Sequence, residues 1–139
     1  MLTFVDTNVF LRLAVVANDD KQMKQAKRLF EHAQAGNVTL VTGPPVLFEV
    51  AWVICRLYKR TNSEIMDFLE AITSYPNLRV LDKDYVIAAI DTARSTNSAF
   101  VDSYIAISAR NIKTDNVATF NRKHFSKLGV EFYPFENGI

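Results

Sequence analysis

Cysteine is almost missing from this chain. The single Cys55, in an apolar segment, leaves nothing for a disulfide framework or a cysteine-ligated zinc site. An excess of either charge is lacking too. Sixteen Lys and Arg stand against 15 Asp and Glu, a net charge of +1. Holding nucleic acid by overall charge would need a more basic chain, so any such contact must use a local patch. No apolar run reaches the ~18 residues that cross a bilayer, and no basic n-region marks a secretory signal. A reduced, cytoplasmic setting without membrane attachment is therefore expected. Repeats, low-complexity tracts and linker-like stretches are also missing, so residues 1–139 are expected to form one domain. The remainder suits one: 49% hydrophobic and 22% charged residues describe a globular chain able to bury a substantial core.

What is present alternates between strand and helix signals. Leu2–Val5 reads as a strand, followed by a short helix over Thr7–Val15. Asp19 or Asp20 can cap a longer helix running to Ala35, with Met23, Ala26, Leu29, Phe30 and Ala33 at helical spacing. Gly36-Asn37 ends it. Val38–Thr42 is a second strand, and Gly43-Pro44-Pro45 precedes a helix over Val46–Tyr58. That helix is apolar almost all round and is expected to be the buried one. Ser63 can cap the next, with Ile65, Phe68, Leu69 and Ile72 on one face, ending before Tyr75-Pro76-Asn77. Arg79–Leu81 is a brief strand, and Asp82 or Asp84 opens a helix carrying Val86, Ala89, Ile90 and Ala93. Thr96-Asn97-Ser98 breaks it, and Ala99–Asn111 is helical again. Val117–Thr119 and Val130–Tyr133 complete the strands. Alternation of this kind predicts a three-layer α/β fold with a mostly parallel sheet of four to five strands, flanked by helices.

Three acids fit their surroundings poorly. Asp6 ends the first strand, where ligands bind in open α/β sheets. It could equally cap the following helix through Thr7 and Asn8. Glu49 lies inside the most apolar helix, beside Trp52, Val53 and Arg56. A buried lone carboxylate costs several kcal/mol unless compensated. A pair with Arg56, two turns away, would compensate it, and a metal would do so better. Asp102 continues the small apolar stripe of Ile105, Ala106 and Ala109 and is expected to face the core. It could also serve only the first turn of its helix. The strand end at Thr119-Phe-Asn121 delivers polar side chains, either to the same crevice or to a turn capped by Asn121. Carboxylate and carbonyl oxygens gathered there would suit Mg²⁺ or Mn²⁺.

These residues carry a resemblance. Phe4-Val-Asp-Thr-Asn-Val-Phe-Leu11, Pro45-Val-Leu-Phe-Glu-Val50, Asp102-Ser-Tyr-Ile-Ala-Ile-Ser-Ala109 and Ala118-Thr-Phe-Asn-Arg-Lys-His-Phe125 resemble the motifs of a PIN domain. The chain is most similar to a ribonuclease toxin of the VapC type. The resemblance implies a divalent-metal-dependent endoribonuclease, with Asp6, Glu49 and Asp102 as metal-binding acids and Asn121 in the catalytic set. Many family members carry a fourth Asp where this chain has Asn121, which bears on whether one ion or two are held. Thr7 and Thr119 would be secondary polar contacts. Implied partners are an RNA substrate, a cognate antitoxin protein and a second copy of the chain. Faces near residues 26–30 and 65–72 could meet such partners or pack on each other. Arg12, Arg56, Arg110, Arg122 and Lys123 are candidate RNA contacts, while His32 and His124 read as surface residues. Two rival functions are a non-cleaving RNA- or protein-binding module and an aspartate-based phosphatase. The latter usually has a second Asp where Asn8 stands.

Overall fold

Short apolar runs at Leu2–Phe4, Thr39–Thr42 and Leu78–Val80 form strands β1, β2 and β3 of a computed structural model, which describes residues 1–14 and 20–136. The strands are parallel and ordered β1-β2-β3. Leu2 lies opposite Thr39, Phe4 opposite Val41, and Thr42 opposite Val80. Parallel neighbours need long crossovers, and helices supply them. Helices α1 (Thr7–Ala14) and α2 (Asp20–Gln34) link β1 to β2, and α3 (Pro44–Tyr58) and α4 (Asn62–Thr73) link β2 to β3. Beyond β3 follow α5 (Lys83–Thr96), α6 (Phe100–Asn111) and the single turn α7 (Arg122–Phe125).

The main core lies between the sheet and these helices. Phe10 of α1, Leu40 of β2, Leu47 and Val50 of α3, and Met66 and Leu69 of α4 are all 0% exposed. The faces near residues 26–30 and 65–72 turn inward: Ala26 and Phe30, and Ile65, Leu69 and Ile72, are buried. Tyr75 joins the two sides. Its ring meets that of Phe30 at 5.1 Å, and its hydroxyl donates to the Phe30 carbonyl at 2.8 Å. Several element ends differ from the sequence expectation. The two prolines of α3 occupy its first turn, so it begins at Pro44 rather than Val46. The cap of α4 is Thr61, not Ser63. Asp82 does precede α5, but in a left-handed conformation with no side-chain cap bond. The expected helix end at Val15 and the cap at Asp19 fall outside the described residues.

Two larger expectations are corrected. Among the described residues the sheet has three strands, not four to five. Val117 and Phe132 form one isolated parallel bridge that does not join it. A second, smaller core accompanies that bridge: Phe125 and Leu128 bury against Ala106 of α6, with Val130 and Phe132 packed on them. β1 is left as an edge, with Leu2 and Phe4 63% and 58% exposed. Helix α3 is also not buried all round. Leu47, Val50 and Ile54 face the core, while Trp52 and Leu57 are 59% and 67% exposed. α1, α4 and α6 cover only one side of it.

Candidate active site

The parallel strands all point their C-termini to one edge, and β1 releases Asp6 there. Val5 is buried and its N–H donates to the Val41 carbonyl at 2.8 Å, locking the strand end beside β2. The Thr42 hydroxyl, itself buried, donates to the Val5 carbonyl at 3.3 Å. The backbone then turns directly into α1. Asp6 Oδ1 accepts from the Thr7 N–H at 2.7 Å, which sets the carboxylate at the positive end of that helix. Asp6 thus ends the strand and stands just before the helix, its carboxylate accepting from the first helical N–H rather than from those that a side-chain cap satisfies. Oδ2 makes no hydrogen bond among the described residues, and the side chain is exposed.

Glu49 is exposed on α3, so the premise that burial demands a partner for it is overturned. Arg56 does not pair with it; its guanidinium lies 5.8 Å over the Trp52 ring. Phe48, the preceding residue, packs between Phe100 and Tyr104 of α6 at centroid distances of 5.5 and 5.0 Å. That contact fixes which way α6 is turned. Asp102 lies two residues on from Phe100, roughly 200° around the helix, and so faces away from α3. The stripe expected to carry it into the core is buried only in part: Ala106 is buried, Asp102 and Ala109 are half-buried, and Ile105 is exposed, while Phe100, Ser103 and Ile107 make up the rest of the buried face.

Asp102 turns instead toward α7. Its side chain keeps 16% of its exposure, and His124 Nδ1 stands 3.7 Å from its Oδ2, too far for a hydrogen bond. Burial raises the Asp102 carboxyl above the usual carboxylate range, and the charge of a protonated His124 would lower it. The two residues share an open cleft of about 440 Å³ with Ser98, Lys123 and Lys127. His124 is a surface residue, as expected, but its closeness to Asp102 was not foreseen. No spacing along the chain signals it, because tertiary packing, the second core included, brings α7 to α6. Asn121 precedes α7, exposed and without a side-chain cap bond; its own N–H donates to Thr119 Oγ1 at 2.9 Å, a local turn bond before the helix. His32 is exposed on α2.

The expected RNA contacts separate by what already holds them. Arg12 donates to Gln22 at 2.8 Å, and Arg110 donates to the Leu128 carbonyl at 3.2 Å, tying α6 to the second core. Arg56 and Arg122 lie over aromatic rings. Lys123 alone among them lines the cleft beside Asp102.

Three carboxylates and an amide are hard oxygen donors, so their chemistry fits Mg²⁺ or Mn²⁺. Their placement does not complete the fit. Among the described residues no three His, Cys, Asp or Glu side chains form a group that could hold a metal ion. Asp6 and Glu49 do not line the cleft that holds Asp102. Among those residues, too, no helix is long and apolar enough to cross a membrane.

Comparison with known proteins supplies the relationship. No curated protein sequence matches the chain significantly. The profile of the PIN domain matches residues 3–131, a span that contains Asp6, Glu49, Asp102 and Asn121. PIN domains are generally nucleases and typically use divalent metals such as Mg²⁺ or Mn²⁺. Because that match runs across nearly all of an α/β chain with a parallel sheet, the protein belongs to the PIN-domain family.

Proposed function

We propose that this protein is a divalent-metal-dependent endoribonuclease hydrolysing RNA phosphodiester bonds, and the toxin of a type II toxin–antitoxin pair of the VapC type. The PIN-domain match over residues 3–131 carries the nuclease assignment. The choice of RNA and the toxin role draw their support from the resemblance of the four motifs around Asp6, Glu49, Asp102 and Asn121. Asp6, Glu49 and Asp102 are assigned to the ion, with Asn121 as an uncharged oxygen donor, on their residue types and the motif resemblance; the structure does not gather them into one group, so geometry does not enter that assignment. When bound, Mg²⁺ or Mn²⁺ supplies a water of lowered pKa and offsets charge on the phosphoryl oxygens.

The side chains themselves support this assignment in separate ways. The Thr7 N–H holds one oxygen of Asp6 and leaves the other for a ligand. Asp102 sits where burial raises its carboxyl above the usual range, so a cation beside it would favour the ionised form. With Asn121 the set carries three negative charges rather than four, which favours one ion over two. Lys123 and Lys127 add positive charge beside Asp102 for a phosphate backbone. A cytoplasmic homodimer silenced by a protein antitoxin completes the proposal.

The test is cleavage of total cellular RNA by the purified chain with Mg²⁺ or Mn²⁺, beside EDTA and Asp102→Ala controls. Fragments that need the metal and vanish in the variant are the expected result. Intact RNA under both metals, with the protein folded, would leave a non-cleaving binder.

A further inference from the structure

Three aromatic side chains stand together in solvent near the C-terminal end of the described chain. Phe120, Tyr133 and Phe135 are 87%, 47% and 41% exposed. The Phe120 and Phe135 rings stack at 4.5 Å with 23° between their planes, and Tyr133 meets Phe135 edge-on at 5.1 Å. The group is held in place. The Val117–Phe132 bridge fixes its backbone, and Phe132 packs on the second core with the Arg122 guanidinium 5.3 Å over its ring.

Positive charge follows Phe120 closely along the chain. Arg122 and Lys123 follow Phe120 by two and three residues, and Lys123 and Lys127 line the cleft with Asp102. Among the described residues none of these three cations is in an ion pair. Aromatic faces flanked by unpaired cations are what a single nucleic-acid strand requires, bases on the rings and phosphates on the charges. In a chain of net charge +1, a local patch is also the arrangement that nucleic-acid binding would need.

We propose that Phe120, Tyr133 and Phe135 form a stacking platform for unpaired bases of an RNA strand whose phosphates cross Lys123 and Lys127 toward the cleft holding Asp102. The choice of RNA rests on the function proposed above; what these three rings add is a place where its unpaired bases are held, with little preference among them. Every base offers a π face, whereas a duplex keeps its bases stacked on one another.

The test is fluorescence anisotropy of the full chain with labelled 12-nucleotide oligouridylate and oligoadenylate, and with a hairpin duplex, in EDTA so that no strand is cut. Both single strands should bind more tightly than the hairpin. Phe120→Leu should raise Kd about fivefold or more through lost stacking, and Phe120→Trp should stay within about twofold. Equal affinity of Phe120→Leu and the parent chain, or no binding of either strand, overturns the platform. RNA cut by the parent chain and by Phe120→Leu alike, with unchanged affinity, removes the platform but not the nuclease. Ring-dependent binding without cleavage under Mg²⁺ or Mn²⁺ removes the nuclease but not the platform.

Discussion

Burial lifts the Asp102 carboxyl above its usual range while the imidazole of His124 pulls the other way. A folded-state value above the unfolded one means that the native protein holds this proton more tightly. The resulting stability is complete below the unfolded value and is lost as pH rises through the raised one. At neutral pH the charged form is thus a cost, and Asp102→Asn removes it. The thermal midpoint of that variant at pH 7 should equal or exceed that of the parent, with cleavage lost. A cation bound here must displace the proton, so Mg²⁺ or Mn²⁺ should raise the parent's midpoint at pH 7 and do so less as pH falls through the Asp102 value. At a hundred times Kd the gain is about 2.7 kcal/mol. Scanning fluorimetry with and without metal checks this; an equal shift in Asp102→Asn would place the ion elsewhere. The sequence singles out all four candidate site residues by residue type and position along the chain. It does not show their surroundings. Glu49 lies in an apolar stretch of sequence yet is exposed, because sequence neighbours on a helix are not the groups that cover it.

Among the elements, α4 shows how local chemistry sets a boundary. The Thr61 hydroxyl accepts from the Glu64 N–H at 3.2 Å, and the Glu64 carboxylate accepts from the Thr61 N–H at 3.1 Å. This reciprocal pair holds the Glu64 carboxyl below its ordinary value, chiefly through the backbone N–H of Thr61. Its contribution is present above the unfolded value and fades as pH falls through the folded one. Thr61→Ala should cost about 1 kcal/mol and lower the thermal midpoint by about 3 °C, measured by circular dichroism at pH 7. No change would mean that the cap is replaced by water. The sequence held the deciding signal, a Glu three residues after Thr61, and Ser63 lacks an equivalent. Helix α3 was less legible. Its composition describes an apolar cylinder, and only packing by α1, α4 and α6 shows which side is covered.

At the scale of the whole molecule, two cores of unequal size divide the stability. The sheet and α1 to α6 share the large one, whereas α7 and the segment after it rest on Ala106, Phe125 and Leu128. Regions with little buried apolar area open locally at low cost. Amide exchange should therefore be at least tenfold faster at His124 and Leu128 than at Leu40 and Val41 of the central strand, read by NMR. Equal protection would mean that both cores open as one unit. The difference bears on the candidate site, since Lys123, His124 and Phe120 all belong to the less buried part.

Helical periods, capping types and strand ends are properties of neighbours along the chain. For that reason the α/β class, the order of elements, and the acids at Asp6, Glu49 and Asp102 could be read from sequence. The strand count, the open edge of β1, the exposure of α3, and the meeting of Asp102 with His124 depend on residues far apart. The segment from Val117 to Phe132 has residues suited to a strand, yet its side chains pack against α6. Sequence spacing cannot rank those two burials, because each is paid in the same hydrophobic area, and only the tertiary structure shows which was taken.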